Sequence, residues 1–170
     1  MSLITEDGTI VAGAESYCSV VAADSYHLKF ANASWTLLDT PTKEAMLRRA
    51  TAYMLQVYRL RWKGVRMSAL QVLDWPRAGV CLDDVTFSRY QYFLPPTVVP
   101  AEVINACASL ALIANTEDLA PALEREVISE KVGPIETTYR PGSAEYKRYR
   151  AIDLMLKIYL GATGSGIVRS

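Results

Sequence analysis

Histidine and cysteine are scarce in this sequence, and their scarcity restricts the chemistry that the chain can perform. His27 is the only histidine, so a serine or cysteine nucleophile that needs a histidine as its general base would have to use this residue. We interpret His27 as a structural residue on the apolar side of a short helix. The three cysteines, Cys18, Cys81 and Cys107, show no CxxC spacing, which predicts buried free thiols rather than a disulfide framework or a zinc site. The sequence therefore predicts a protein that is not an enzyme, with no catalytic residue, metal or cofactor.

Long apolar runs and an excess of one charge are also missing. No apolar run reaches the roughly 18 residues needed to cross a bilayer, and residues 1–7 lack the basic start and apolar stretch of a signal peptide. We therefore predict no membrane contact. The 18 basic and 18 acidic residues cancel, which argues against a generic nucleic-acid binder, because such proteins gain affinity mainly by neutralising phosphates. Hydrophobic residues make up 51% of the 170 residues, enough for the core of one domain.

Charge is nevertheless distributed unevenly along the chain. Between residues 43 and 66 seven basic residues accompany one acid, and between residues 116 and 130 five acids accompany one base. The pattern fits either two solvated faces or complementary surfaces that meet between copies of the protein. The charged candidates for such a contact are Arg48, Arg49, Arg59, Arg61, Lys63, Arg66, Glu117, Asp118, Glu124 and Glu126.

Apolar residues recur at steps of three and four in several segments, and this spacing predicts helices. Ser19 is placed to cap the first helix, Thr40 with Pro41 opens a longer one, and Ser-Ala-Leu-Gln at 68–71 matches a capping box. The side chains predicted to be buried are Met46, Ala50, Tyr53, Val57 and Leu60 on the longer helix and Tyr149, Ile152, Leu156, Tyr159 and Leu160 on the last one. Residues 100–115 are apolar on nearly every side, so their helix is predicted to lie either at the centre of the core or between subunits. The predicted helices cover residues 19–30, 40–63, 69–74, 100–115 and 144–160.

The segment Leu-Asp-Trp-Pro-Arg-Ala-Gly at residues 73–79 predicts an architectural corner. Trp75 precedes a proline and is pushed out of the helical region, while Pro76 lacks the amide hydrogen that a continuing helix needs. Gly79 then permits a turn that a residue with a Cβ would resist. Arg77 is positioned either to brace this corner or to reach a neighbouring subunit.

Two stretches lack a helical period and predict the β element of the fold. Residues 77–98 alternate as an extended or strand-like stretch, and residues 127–139 predict two short strands around a Gly-Pro turn. The predicted fold class is therefore mainly α, a bundle of about four helices with a small β-hairpin or extended-loop element. We predict one domain over residues 1–160, beginning with an extended arm at 1–15, and a flexible glycine-rich tail at 161–170.

Aromatic and basic residues interleave near the end of the helix predicted over 40–63. Rings beside cations hold nucleic-acid single strands without sequence preference. Tyr53, however, falls on the predicted buried stripe, and Trp62 could equally anchor the helix end. Binding of single-stranded DNA in replication is therefore an alternative function. The interleaved residues are Tyr53, Tyr58, Arg59, Arg61, Trp62 and Lys63.

Several segments together resemble the head–tail connector, or adaptor, proteins of tailed phages, also called head completion proteins. Members of this sequence group often carry the label "putative DnaT-like single-stranded DNA binding protein". The resemblance extends from about residue 8 to about residue 160, and its most specific parts are Trp-Pro-Arg-Ala-Gly at 75–79 and Ser-Glu-Lys-Val-Gly at 129–133. The other matching residues are 15–17, 19–20, 23–27, 43–45, 48–53, 58, 62–64 and 98–111.

The resemblance implies a mostly helical, ring-forming subunit with a small β element and a structural role. Such rings, commonly of twelve copies, lie beneath the portal protein in the virion neck after assembly in the host cytoplasm. They extend the DNA channel towards a stopper or tail terminator protein, and DNA passes without sequence-specific binding during genome ejection. The charged candidates above would then lie between subunits or line the channel, and Ile167, Val168 and Arg169 would dock on the portal. A structural head–tail connector is therefore the leading functional hypothesis.

Overall fold

Groups of helices and groups of short strands follow one another along the chain in the structure, a computed structural model that describes residues 2–87, 90–121, 127–131, 136–139 and 148–161. Within these residues the α-helices are α1 (Val20–Lys29), α2 (Ala33–Thr36), α3 (Thr40–Tyr58), α4 (Ala101–Ala114) and α5 (Arg150–Leu156), and a 3₁₀ helix follows at Lys157–Tyr159. The strands are β1 (Val65–Arg66), β2 (Arg77–Ala78), β3 (Cys81–Phe87), β4 (Tyr90–Phe93), β5 (Val127–Lys131) and β6 (Glu136–Tyr139).

The strands of the described residues form three separate antiparallel pairs, β1 with β2, β3 with β4, and β5 with β6. Strand β3 pairs with β4 in the register Cys81 opposite Phe93 and Leu82 opposite Tyr92, and the register shifts between Leu82 and Thr86. The predicted mainly-α bundle of about four helices is wrong, because the described residues combine five α-helices with these three pairs in a mixed α/β fold. The backbone groups of the β segments are satisfied by strand ladders rather than by helical bonds, and this fold of one chain does not show the predicted ring.

Helix α4 lies at the centre of the core, which is one of the two positions predicted for it. It packs against α1, α3 and α5. Small residues let the neighbouring helices approach closely along it, and half of its 14 residues are buried. The buried residues of α4 are Val103, Ala106, Cys107, Ala108, Leu110, Ala111 and Ala114.

Helix α3 begins where the sequence indicates but ends earlier. Its N-cap is Asp39, whose carboxylate accepts a hydrogen bond from the backbone N–H of Thr42 at 3.1 Å, so the cap lies one residue before the predicted Thr40. The helix ends at Tyr58 instead of continuing to residue 63. Leu60, predicted to be buried, is consequently 97% exposed. The chain turns here because the following residues pair with a distant segment, as described below.

The helix predicted over residues 69–74 does not form. Turns replace it, and the side chain of Gln71 explains why: its amide nitrogen donates to the carbonyl of Pro76 at 3.0 Å, and its oxygen accepts from the backbone N–H of Met67 at 3.1 Å. Gln71 therefore links the two sides of a loop instead of closing a capping box. The local pattern was right for a helix start, but these loop bonds outweigh it.

Residues 2–16 lie against the body of the protein. Thr5 forms a parallel β-bridge with Ser16, and the buried carboxylate of Glu6 accepts backbone N–H bonds from Gly8, Ile10 and Val11 at 2.9–3.0 Å. An extended arm was predicted over residues 1–15, and these bonds hold the described part of that segment in a folded loop.

The last helix is shorter than predicted, and its first predicted residues, 144–147, lie outside the described residues. Helix α5 starts only at Arg150, and its predicted buried stripe is confirmed at Ile152, Leu156 and Tyr159. The predicted tail beyond residue 161 also lies outside the described residues, so the domain boundary stays a prediction. No helix of the described residues combines the length and the apolar character needed to cross a membrane.

The cysteines are all free, as the sequence predicts. Cys18 and Cys107 are buried, whereas Cys81 is half-buried on β3. Burial raises the pKa of the Cys18 and Cys107 thiols, which keeps both protonated and unreactive. Among the described residues, no group of three or more His, Cys, Asp and Glu side chains could hold a metal ion.

Candidate nucleic-acid interface

The segment Arg61–Lys63 alternates between the inside and the outside of the protein. Trp62 forms an antiparallel bridge with Leu160, and two backbone bonds flank it, from the Lys63 N–H to the Tyr159 carbonyl at 2.8 Å and from the Gly161 N–H to the Arg61 carbonyl at 2.7 Å. Successive side chains of an extended chain point to opposite sides. Trp62 is therefore buried, and Arg61 and Lys63 both line one surface cleft.

This surface depression, which we call the basic cleft, has a volume of about 500 Å³. Four cations and two carboxylates line it, so its formal charge is +2 although the whole chain is neutral. Its wall consists of Arg61, Lys63, Asp83, Arg150, Asp153, Leu154, Lys157, Leu160 and Gly161.

Two cations of the basic cleft are held in place by neighbouring groups. The Arg61 guanidinium lies 5.1 Å from the centre of the Tyr58 ring, and its Nη1 lies 3.4 Å from Oδ1 of Asp153. The Lys63 ammonium binds the Asp83 carboxylate and donates to the Cys81 carbonyl at 3.3 Å. The hydrogen bond from Lys63 lowers the pKa of Asp83, so this carboxylate stays ionised at neutral pH.

The other two cations of the basic cleft, Arg150 and Lys157, are exposed and form no ion pair with any residue that the structure describes. They are seven residues apart on α5 and the following 3₁₀ turn, with Leu154 between them, and this spacing places them on the same face. The sequence analysis missed both residues. The spacing of seven is the signal that could have found them.

A second depression, the apolar groove, continues from the basic cleft. Its volume is about 750 Å³, and it shares Asp83, Leu154 and Lys157 with the cleft. Tyr92 is 49% exposed and lies directly opposite Leu82 in the hairpin. Paired residues share one face of an antiparallel ladder, so the Tyr92 ring lies on the same face of the hairpin as Leu82, a residue of the groove wall. The groove is lined by Leu82, Asp83, Asp84, Val85, Glu102, Leu154, Met155, Lys157, Ile158 and Tyr159.

The aromatic residues that the sequence offered as stacking platforms are all in the core. Tyr53 is 2% exposed, Tyr58 is fully buried, and Trp62 is 6% exposed. Trp62 and Trp75 pack edge to face, with ring centres 5.5 Å apart. None of the three predicted rings is therefore available to stack on a base, whereas Tyr92, which the sequence analysis did not select, is exposed.

The predicted basic surface is divided by contacts within the chain. Arg48 pairs with Glu15 at 2.9 Å and with Glu44 at 3.6 Å, and Arg59 pairs with the buried Asp74 at 2.9 Å. Two others donate to backbone carbonyls, Arg49 to Ala114 at 3.0 Å and Arg66 to Gln71 at 3.1 Å. Of the six basic candidates, Arg61 and Lys63 alone line the basic cleft.

The predicted acidic candidates are engaged locally where the structure describes them. Glu117 accepts a hydrogen bond from the Tyr149 hydroxyl at 3.1 Å, and Asp118 accepts one from the Ala120 N–H at 3.1 Å. Glu124 and Glu126 lie outside the described residues, as do the predicted portal-docking residues Ile167, Val168 and Arg169. A contact between the acidic and basic runs of neighbouring copies therefore stays a prediction.

The predicted corner is present and is braced from within. Trp75 is fully buried and precedes Pro76 through a cis peptide bond. The Arg77 guanidinium donates to the carbonyls of Lys63, Gly64 and Asp74, at 2.8, 2.7 and 3.2 Å. Gly79 has a φ of +70°, a conformation that glycine adopts without strain. Arg77 therefore braces the corner of its own chain and, by fixing the Lys63–Gly64 turn, supports one wall of the basic cleft.

A family model described as "Putative DnaT-like ssDNA binding protein" matches residues 1–170, the whole chain. The chain belongs to this family. No curated protein and no solved structure matches it. Membership of this DnaT-like family favours the alternative function over the leading hypothesis. The prediction of a virion structural protein at the phage neck, with portal and tail partners, is corrected accordingly, because the family is described by single-stranded DNA binding and not by a place in the virion.

Proposed function

We propose that this protein binds single-stranded DNA non-catalytically, with the sugar–phosphate backbone in the basic cleft. The observation that carries the proposal is the alternation at residues 61–63. Burial of Trp62 directs Arg61 and Lys63 into the cleft that Arg150 and Lys157 enter from α5 and the turn after it. Membership of the DnaT-like family supports the same function.

The basic cleft can attract phosphates although the whole chain has no net charge, because the formal charge of the cleft is +2. Phosphate contacts depend on the cations within a few ångströms, because charges further apart than about 8–10 Å are largely screened at physiological ionic strength. Arg150 and Lys157 have no acidic partner among the described residues and lose no ion pair when they bind phosphate. Arg61 and Lys63 are already oriented by their neighbours.

Tyr92 supplies the stacking surface of the proposed site. A base gains about 1–3 kcal/mol by stacking on an aromatic ring, with little dependence on its identity. The Tyr92 ring is half exposed on the hairpin whose Leu82 lines the apolar groove, so a strand whose phosphates lie in the basic cleft has an exposed aromatic ring on the adjoining hairpin. The sequence offered Tyr53, Tyr58 and Trp62 for this role, and all three are buried.

The test is the salt dependence of oligonucleotide binding, measured by fluorescence anisotropy with a labelled 20-nucleotide strand. If all four cations contact phosphates, log K against log salt has a slope of about −2.8, and affinity falls about 50-fold between 50 and 200 mM salt. We expect micromolar binding near physiological salt. Absence of binding at 50 mM salt, or a slope near zero, would refute the proposal.

A double variant tests whether the strand binds in the basic cleft or elsewhere on the surface. Arg150→Gln with Lys157→Gln removes the two unpaired cations, so the slope should shrink to about −1.4 and the salt effect to about sevenfold. The matched control, Lys29→Gln with Arg66→Gln, removes two exposed cations outside the cleft and should leave the slope unchanged. Equal effects of the two double variants would show that the strand binds elsewhere.

A further inference from the structure

The apolar groove has the opposite charge to the basic cleft that it continues. Asp83 and Asp84 of β3 and Glu102 of α4 bring three carboxylates to its wall, against Lys157 alone. The Tyr159 hydroxyl donates to Oε2 of Glu102 at 2.7 Å. Burial and this hydrogen bond raise the pKa of Tyr159, so its hydroxyl remains a donor. Within the part of the chain that the structure describes, the other oxygen of Glu102 accepts no hydrogen bond and can accept one from a ligand.

The chemistry of the groove excludes phosphate and suits a nucleobase. Carboxylates repel the backbone of a bound strand, which confines the phosphates to the basic cleft. The apolar walls formed by Leu82, Val85 and Ile158 can cover the faces of a base, and the groove volume of about 750 Å³ lies within the range of small-ligand sites. Lys157, the cation of the groove wall, also lines the basic cleft and is assigned to phosphate, so the charged groups that remain for the edge of a base are the carboxylates, which accept hydrogen bonds.

The bases differ at that edge. Cytosine and adenine carry an exocyclic amino group, N4 or N6, that donates to a carboxylate, whereas thymine carries the acceptor O4 in the corresponding place. An acceptor facing a carboxylate gains no hydrogen bond and is repelled. The groove should therefore favour bases with an exocyclic amino group over thymine.

We propose that the apolar groove holds bases of the strand bound in the basic cleft and selects cytosine and adenine over thymine through Asp84 and Glu102. The inference rests on the proposed single-strand binding and on the continuity of the two depressions through Asp83, Leu154 and Lys157. It adds a base preference to a function otherwise expected to be independent of sequence.

The experiment compares dC20, dA20 and dT20 by anisotropy at pH 8 and a single salt concentration. We expect dC20 and dA20 to bind about fivefold or more tightly than dT20, the lower end of the discrimination that amino–carboxylate pairing provides. Binding of dT20 as tight as that of dC20 would overturn the inference while leaving the proposed function intact. Failure of all three strands to bind would overturn both.

Two isosteric variants locate the preference. Asp84→Asn provides an amide that can donate to thymine O4, so the ratio of dC20 to dT20 affinity should fall towards one. Asp118→Asn removes the same charge beyond the other end of α4, about 18 Å along the helix from Glu102, and should retain the ratio. An unchanged ratio of dC20 to dT20 affinity in Asp84→Asn would overturn the inference. If Asp84→Asn instead changed the oligomeric state and bound all strands equally, the groove would be assigned to a second copy of the chain, and the inference would be overturned as well.

Discussion

Replacing Arg77 by methionine should destabilise the protein strongly, because one buried guanidinium holds three backbone carbonyls together. The side chain is 6% exposed, and its bonds to Lys63, Gly64 and Asp74 are 2.7–3.2 Å long. A hydrogen bond from a charged group contributes about 1.5–3 kcal/mol net. Burial lowers the pKa of Arg77, which indicates a cost of removing the charge from water, so we take the lower end. Three bonds then give a loss of about 4–5 kcal/mol, a large part of the roughly 5–15 kcal/mol that stabilises a typical domain.

Urea unfolding followed by tryptophan fluorescence measures this loss, since Trp62 and Trp75 are buried beside the corner. The control is Arg66→Met, which removes an exposed arginine with one bond to a carbonyl and should cost about 1 kcal/mol or less. Arg77→Lys keeps the charge but not the planar fork, so an intermediate loss is expected and can be measured even if the methionine variant does not fold. A loss in Arg77→Lys no larger than in the control would refute the reasoning.

Two further predictions concern stability. Burial lowers the pKa of His27, whose Nε2 lies 3.1 Å from the Ala108 carbonyl and whose Nδ1 lies 3.0 Å from the Asn32 amide nitrogen. The unfolded chain therefore binds the proton more readily than the folded protein. The contribution of His27 to stability should be complete above about pH 6.5, and the free energy of unfolding should fall below that pH by up to about 1.4 kcal/mol per pH unit. His27→Gln should abolish that slope in urea titrations between pH 7.5 and 5.5, and a slope that persists in the variant would assign it to other groups. Gly8→Ala should lower the free energy of unfolding by at least about 1 kcal/mol more than Gly13→Ala. Both residues have positive φ, but a Cβ at Gly8 would lie 2.1 Å from the Thr97 carbonyl oxygen, whereas a Cβ at Gly13 would lie 3.8 Å from Ile4. Equal losses in the two variants would contradict the close contact at Gly8.

Much of the fold could be predicted because it depends on neighbouring residues. Ser19 caps α1 by accepting a hydrogen bond from the Ala22 N–H at 3.1 Å, and the apolar 100–115 segment forms the central helix. Strands β2 to β4 lie within the alternating stretch at 77–98, and β5 and β6 lie within the stretch at 127–139. Errors occurred where a distant contact prevailed over a local signal. The capping-box pattern at residues 68–71 was sound, but the Gln71 side chain bonds across the loop instead.

The candidate site was only partly accessible to sequence reasoning. Arg61 and Lys63 were selected, yet so was Arg59, which turns away to pair with Asp74. Tyr92 was not selected because the sequence does not show which aromatic side chains of a strand are exposed in the folded protein. Nothing local distinguishes an arginine that braces a loop from one that lines a cleft.

The sequence by itself determined the elements that depend on backbone preference and hydrophobic spacing, such as the Trp-Pro-Arg corner and the apolar helix α4. The family of the chain follows from the sequence as well. Only the tertiary structure decided which charges share a surface. The basic cleft is assembled across about ninety residues of sequence, by the bridge from Trp62 to Leu160 and the contact of Arg61 with Asp153, and such long-range pairings are set by packing of the whole core rather than by any local signal.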